Sequence, residues 1–278
     1  MEPLVSILIR TCQRPEALRN ALESIRRQSY KNIQVVVVED GEQTSNELLK
    51  NSFSDLNYIY EATNEHIGRS AVGNRAMEIA EGEYYNFLDD DDELLPKHIE
   101  ILVNALNGSE QMAAYSVAKE KQIIFIDKER NQYDVKKEMI RYRQPFNRLL
   151  LYKENYLPIQ SVLFSRELYE KLGGFNTRLD FLEDWDLWVK YSILTDFIFV
   201  NEITSCYYVG YARKTKRIRT KKLVEDAQNV IEEFDKYRVE LSVKDINKDI
   251  NFIFDMYKTK EYVRYLKKIF RAVIWGER

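Results

Sequence analysis

Tyr84-Tyr-Asn-Phe-Leu-Asp-Asp-Asp-Asp92 is a short apolar run that stops in four consecutive carboxylates. An apolar stretch of this length predicts a strand buried on both faces. Two similar runs lie upstream. Val5-Ser-Ile-Leu-Ile9 is the first, and Ile33-Gln-Val-Val-Val-Val38 is the second, ending at Glu39-Asp40-Gly41. Helical stretches separate them. Pro15 opens one, with Leu18, Ala21, Leu22 and Ile25 on a single face. Tyr58-Ile59-Tyr60 reads as a third strand and residues 67–80 as the next helix. Pro96 starts another, with Ile99, Leu102, Val103 and Leu106 turned inward. This alternation predicts an α/β fold, a mainly parallel sheet with helices on both faces. Ligands of such sheets bind beyond the carboxyl ends of the strands. Here two strands end in acidic residues at that edge.

Composition narrows the classes. Hydrophobic residues make up 45% of the 278, which argues for a large core and against global disorder. Lys and Arg number 42 against 45 Asp and Glu, a net charge of −3. That balance argues against wrapping nucleic acid. The cysteines are Cys12 and Cys206 and the histidines His66 and His98, spaced for neither a zinc site nor a disulfide framework. No basic segment precedes Val5, so no signal peptide is expected. No run of 18 apolar residues is present, so no transmembrane helix is expected. A cytoplasmic location follows as the expectation, with any membrane contact peripheral.

The middle third is less regular. Residues 113–118 and 122–126 predict two strands, and 131–138 a polar connection between elements. Another apolar run covers 158–164, and a helix over 166–172 is stopped by Gly173-Gly174. Phe181-Leu-Glu-Asp-Trp-Asp-Leu-Trp188 enters an amphipathic helix. Past Tyr211 the composition shifts to a Lys- and Arg-rich stretch at 213–222, and the remainder reads as helices with polar faces.

Four carboxylates in a row repel one another unless a cation offsets them. Oxygen clusters of this kind suit Mg²⁺ or Mn²⁺, which take one or two carboxylates together with substrate phosphates. A solvated acidic turn is the alternative. Asp89, Asp91, Glu93 and Glu100 fall at EF-hand ligand positions, but Leu94 stands where that loop needs glycine. Gly68-Arg-Ser-Ala-Val-Gly73 has P-loop glycine spacing without the Lys and Ser/Thr that should follow. No G-x-G-x-x-G follows the first strand either. Arg69 and Arg75 remain candidates to meet phosphate there, unless the segment is simply a small-faced helix start. Glu39-Asp40 offers acceptors to a nucleobase or ribose, or makes an ordinary turn with Gly41. Glu183-Asp184 offers a general base, or only complements a helix dipole.

Taken in order, these motifs resemble family 2 of the GT-A glycosyltransferases. The residues that carry the likeness are Val5-Ser-Ile-Leu-Ile-Arg-Thr11, Gln28-Ser-Tyr30, Val36-Val-Val-Glu-Asp-Gly41, Ala80-Glu-Gly-Glu-Tyr-Tyr-Asn-Phe-Leu-Asp-Asp-Asp-Asp92, Gly173-Gly-Phe-Asn176 and Glu183-Asp184. The resemblance runs from about residue 4 to 200 and implies a nucleotide-sugar donor and an inverting single displacement. It implies that Asp40 contacts the nucleobase, with Thr11 and Arg14 in the same pocket and Glu39 where the family often has Asp. Asp90 would face the ribose. Asp91 would bind the Mn²⁺ or Mg²⁺ that joins the diphosphate oxygens, with Asp89 as the first Asp of the D-x-D pattern. Asp184 would be the catalytic base, with Glu183 beside it. The acceptor would be a saccharide or lipid-linked saccharide of a surface glycan. The implied organisation is a catalytic domain over 1–212, with a nucleotide-binding half at 1–110 and an acceptor-binding half at 111–212. A basic helical extension would cover 213–278. Two alternatives stay open on the residues alone: a noncatalytic binding scaffold of the same fold, and a metal-dependent nucleotidyltransferase that would release pyrophosphate.

The extension raises a further expectation. Tyr262, Leu266, Ile269, Phe270 and Val273 form one helical stripe, and residues 258–278 hold seven cations against two glutamates. Such a helix can lie in an anionic membrane interface. Otherwise the stripe would pack on the catalytic domain or on a second subunit of a homodimer.

Overall fold

Every residue of β1 (Val5–Thr11) is buried, because the strand has a parallel neighbour on each side and helices on both faces. The computed structural model describes residues 2–179 and 181–258, so the stripe at 262–275, with its expected membrane or subunit contact, lies outside the described residues. After β1 the chain forms α1 (Pro15–Arg26), β2 (Ile33–Glu39), α2 (Asn46–Ser52), β3 (Tyr58–Ala62), α3 (Arg69–Ile79), β4 (Tyr84–Asp89), β5 (Glu93–Leu94) and α4 (His98–Leu106). The second half adds β6 (Ala113–Asp127), β7 (Gln132–Ile140), α5 (Arg148–Leu151), β8 (Val162–Ser165), α6 (Arg166–Leu172), α7 (Glu183–Tyr191), β9 (Phe197–Gly210), α8 (Arg213–Phe234) and α9 (Val243–Lys258).

The strands make one nine-stranded sheet in the order β3-β2-β1-β4-β8-β6-β9-β5, with β7 alongside β6. Strands β3, β2, β1 and β4 are parallel, as the alternation requires. Side chains along them point to opposite faces in turn. Leu8, Val36, Val38 and Phe87 enter one core with residues of α3 and α7. Ile7, Ile9, Val35, Val37 and Leu88 enter the other with Leu18, Leu22, Ile25, Ile99 and Leu102. The register sets Thr11 beside Glu39 and Arg10 beside Asp89. Three strands therefore deliver their last side chains at one level.

The structure corrects the reading of the middle third. The two strands expected at 113–118 and 122–126 are one, β6, with irregular register at Gln122/Ile123 and Phe125/Asp127. Residues 131–138 are not a loose connection but most of β7, whose polar sequence reflects a largely exposed strand that, among the described residues, pairs with β6 alone. Strand β9 was hidden because Asn201 and Glu202 interrupt its apolar pattern. Both are exposed where the pairing steps from Ser116↔Val200 to Val117↔Ile203. Because β5 pairs with β9, and β4 with β8, the expected halves at 1–110 and 111–212 share a single sheet. Helix α8 packs back against α7: Val230 is fully buried, and Phe234 meets Trp185 edge-on with ring centroids 5.2 Å apart. Helix α9 follows through Asn147, whose Nδ2 donates to the Asp249 carbonyl at 3.0 Å.

Gly82 shows how closely β4 enters against β1. Its N–H donates to Ser6 Oγ at 2.9 Å, and a Cβ there would stand 2.6 Å from the Ser6 nitrogen. The clash is with backbone and cannot be relieved by a rotamer. Gly82→Ala should therefore destabilise the fold by about 1–3 kcal/mol. Urea unfolding should show it as a lower midpoint at unchanged slope.

Candidate active site

Arg10 is the last-but-one residue of β1 and is almost fully buried. Its Nη2 lies 2.7 Å from Asp89 Oδ1 and its Nη1 2.8 Å from Glu183 Oε1. Arg69, at the start of α3, reaches the same two groups: Nη2 to Asp89 Oδ2 at 3.0 Å and Nε to Glu183 Oε1 at 3.1 Å. Two guanidiniums and two carboxylates thus close a ring that joins β1, β4, α3 and α7. Phe87 and Phe175 flank Arg10, with ring centroids 5.5 and 5.3 Å from its Cζ.

The acidic run continues beyond the ring. Asp90 is fully buried and accepts from Thr11 Oγ1 at 2.7 Å and from the guanidinium of Arg14, through Nε at 3.1 Å and also through Nη2. Asp91 is 44% exposed and takes Arg14 Nη1 on Oδ2 at 3.1 Å. Asp92 turns away and accepts the backbone N–H of Tyr208 on β9 at 3.2 Å. On the other side of the ring, Asp184 follows Glu183 in the first turn of α7. Its Oδ1 accepts the Trp185 N–H at 2.9 Å and its Oδ2 accepts Asn155 Nδ2 at 3.0 Å.

Asp40 accepts backbone N–H groups of Ile67 at 2.7 Å and Gly68 at 3.2 Å, and His66 Nδ1 lies 2.8 Å from its Oδ2. It therefore anchors the loop leading into α3. Two expected ligand contacts are placed differently by the structure. Glu39 points toward α2 and accepts from the Thr44 and Ser45 N–H groups, both at 3.0 Å, from their hydroxyls, and from Tyr60 Oη at 2.6 Å. Burial raises its carboxyl, but these donors outweigh it and hold the group below its ordinary value. Arg75 is bound to Glu61 at 2.7 Å and Glu78 at 2.7 Å, so it does not join the acidic run.

A family model described as glycosyl transferase family 2 matches residues 6–173, more than half of the chain. The chain belongs to that family. An uncharacterised glycosyltransferase of Rickettsia prowazekii (strain Madrid E) is 28% identical over 238 residues, 84% of this chain and 70% of that protein. WcaA of Escherichia coli (strain K12), a putative colanic acid biosynthesis glycosyl transferase, is 29% identical over 194 residues, 68% of this chain and 66% of that one. Among solved structures, the mannosyltransferase PcManGT from Pyrobaculum calidifontis, in complex with GDP-Man and Mn²⁺, aligns with a TM-score of 0.63 at 16% identity, over 90% of this chain and 69% of its own. S. aureus TarS 1-349 in complex with UDP-GlcNAc aligns with a TM-score of 0.61 at 15% identity, over 77% of this chain and 60% of its own. The fold is therefore GT-A, and the chain is a glycosyltransferase.

In this family 2 glycosyltransferase, environment separates chemically similar carboxyls. Burial raises Asp89, but Arg10 and Arg69 outweigh it and keep the group below its ordinary value. Burial pushes Asp90 up to about 7, with Arg14 opposing and Asp91 adding repulsion. Asp92 is raised by burial and by Asp91 and Asp89. Asp184 is pushed up to about 7, first by burial and then by the charge of Glu183. Among the described residues no group of three or more His, Cys, Asp or Glu side chains is arranged to hold a metal alone. The donor set fits the other mode, in which Mg²⁺ or Mn²⁺ takes one or two carboxylates and completes its shell from phosphate and water. Asp91, open and with Oδ1 outside its pair with Arg14, fits that mode. Asp89 is held on both oxygens by arginines.

Sequence reasoning brought Thr11, Arg14, Arg69, Asp89, Asp90, Asp91, Glu183 and Asp184 to one site, and it missed two residues. Arg10 carried a signal, a cation near the end of an otherwise apolar strand. Asn155 carried none, because it lies in an irregular segment. Replacing Arg10 by methionine should show the ring's importance. It leaves Asp89 and Glu183 buried with Arg69 alone, and removing one partner of a buried pair costs about 3–5 kcal/mol. The surviving Arg69 contacts place Arg10→Met toward the lower end, measurable as a fall in unfolding free energy at neutral pH.

Proposed function

We propose that the chain transfers a sugar from a nucleoside-diphosphate donor to a hydroxyl of a saccharide or lipid-linked saccharide, by a metal-dependent inverting displacement. The observation that carries this reading is the ring of Arg10, Asp89, Arg69 and Glu183. It joins the acidic strand end, suited to a metal-diphosphate, to the helix that carries Asp184. The donors bound by the structural neighbours, GDP-Man and UDP-GlcNAc, support the donor class. The likeness to WcaA supports a surface glycan as the acceptor.

In this reading Thr11, Arg14 and Asp40 line the nucleoside end, with Asp90 holding Arg14 in place beside the ribose. Asp91, with Asp89 behind it, would hold Mn²⁺ or Mg²⁺. When bound, that cation supplies positive charge against the departing diphosphate. Arg69, 42% exposed, adds a second positive group aimed at the same edge. Asp184 accepts the proton of the acceptor hydroxyl while the hydroxyl oxygen bonds to the anomeric carbon. The bond from that carbon to the diphosphate oxygen breaks on the opposite face. One displacement of this kind inverts the anomeric centre.

Calorimetry with UDP and GDP, with and without Mn²⁺, tests the donor half. Asp91→Ala should abolish the metal-dependent part of the affinity. Equal metal-dependent binding by wild type and variant would remove the acidic run from the donor site.

The base must be ionised to accept a proton, and burial keeps Asp184 protonated up to about 7. The profile of kcat/KM should therefore rise with pH through about 7, since this ratio reports the free enzyme. Asp184→Asn should lower turnover by about 10²–10⁴-fold, with little change in nucleotide affinity. Near-normal turnover in the folded variant would place the base elsewhere.

A further inference from the structure

Asp184 has two oxygens and two donors, and they differ in kind. The Trp185 N–H comes from the helix that bears the carboxylate. Asn155 comes from a separate segment, 152–158, which has no regular structure. That segment is clamped to α7 on either side of Asn155. Trp185 Nε1 donates to the Leu151 carbonyl at 2.6 Å, and Trp188 Nε1 donates to the Leu157 carbonyl at 3.0 Å. Tyr156 is buried between them, its hydroxyl donating to the Asn147 carbonyl at 2.9 Å. The amide of Asn155 can face only one way. Its Oδ1 accepts the Leu157 N–H at 3.1 Å. A backbone N–H can only donate, so the amide oxygen must face Leu157 and the amide nitrogen must face Asp184.

We propose that Asn155 is a positioning residue for Asp184, an amide donor fixed in direction by Leu157 that sets the carboxylate's plane and favours its ionised form. This rests on Asp184 being the base. The terminal torsion of an aspartate is broad and roughly two-fold, and its own helix holds only Oδ1, through the Trp185 N–H. Asn155, donating to Oδ2 from a separate segment, holds the second oxygen and so fixes the plane. The charged groups that face Asp184 are Glu183 on α7, Arg69 on α3 and Arg10 on β1. Glu183 disfavours ionisation and both arginines favour it. Both arginines are already bound to Asp89 and Glu183. Asn155 is a neutral side-chain donor to Asp184, and a donor to the charged form favours it.

The test needs no knowledge of the acceptor. Carboxyl carbon NMR of aspartate-labelled full-length protein follows the titration of Asp184, with the resonance assigned from its loss in Asp184→Asn. In Asn155→Ala the midpoint should move up by about one pH unit, as for loss of a hydrogen bond to a charged group. Asn155→Asp keeps the size and the contact to Leu157 but replaces the donor by a second carboxylate, and it should move the midpoint further up. Hydrolysis of UDP-GlcNAc and GDP-mannose, read as released nucleoside diphosphate, supplies the kinetic arm. There kcat should fall about 10–100-fold with donor KM within about two-fold of wild type. An unmoved midpoint in either folded variant, or a loss confined to donor KM, overturns the proposal. Wild-type hydrolysis by Asp184→Asn instead overturns the assignment of the base, and the two failures are read from different variants.

Discussion

The guanidinium of Arg10 sits between two phenylalanine rings and two carboxylates, and the arrangement of the site depends on it. Asp89 and Glu183 lie 94 positions apart in sequence, on a strand and a helix that share one apolar core. Each is costly to bury alone, because an isolated ionised carboxylate loses its hydration. Arg10 brings five N–H donors in a rigid fork, enough to serve both carboxylates at once. Arg69 serves the same pair from the more exposed side. A buried ion pair is weak evidence for stability, since desolvation cancels much of the attraction. Its consequence here is positional: the helix carrying Asp184 is tied to the strand end that carries the acidic run.

The sheet makes that tie possible. Parallel strands β1, β2 and β4 run in register, so Thr11, Glu39 and Asp89 finish at a common edge. After β4 the order continues through β8 to β6 and β9, and short β5 pairs with β9 at the far end. The turn carrying Asp90, Asp91 and Asp92 is thereby held from both sides. Arg14 grips Asp90 from the β1 side, and the Tyr208 N–H grips Asp92 from the β9 side. Asp91, between these two anchors, is left with an open carboxylate.

Much of this was legible in the sequence, and the reasons divide by type of interaction. Period and run length located β1, β2 and β4 because burial on both faces leaves a continuous apolar signature, and β3, a half-buried edge strand, by its short β-rich run. The helices α1, α3, α4 and α6 were readable from caps, prolines and glycines. Strands β7 and β9 were hidden for a related reason: β7 is largely exposed and so polar, and β9 contains a bulge that breaks its pattern. At the site, charge clusters announced themselves, but sequence could not say which carboxylates point inward. Glu39 and Arg75 have the right chemistry and neighbourhood, yet their partners are Thr44, Ser45 and Tyr60 in one case and Glu61 and Glu78 in the other. Side-chain direction at a strand end depends on the neighbouring loop. Asn155 was invisible because its role comes from tertiary clamping by Trp185 and Trp188.

Asp89, Asp90, Asp91 and Asp92 are chemically identical and consecutive, so their differences are entirely the work of the fold. The strand ends at Asp89, and a turn closed by the Asp92 N–H on the Asp89 carbonyl at 3.0 Å sends the following side chains in different directions. Asp89 meets two arginines and is held ionised against burial. Asp90 points back beneath β1 and is raised to about 7 although Arg14 opposes the shift. Asp92, pointing toward β9, accepts a backbone N–H that opposes burial and its acidic neighbours, and is still raised well above its ordinary value. These directions rank how readily each residue offers negative charge to a ligand. Asp89 is ionised but already neutralised by its partners, and Asp90 and Asp92 resist ionisation. Asp91 combines exposure with a single arginine contact at 3.1 Å, so new positive charge at the cluster meets its strongest uncommitted attraction there. Charge arriving at Asp91 would also ease the repulsion that raises Asp90 and Asp92, which couples the occupancy of the edge to the ionisation of the whole turn.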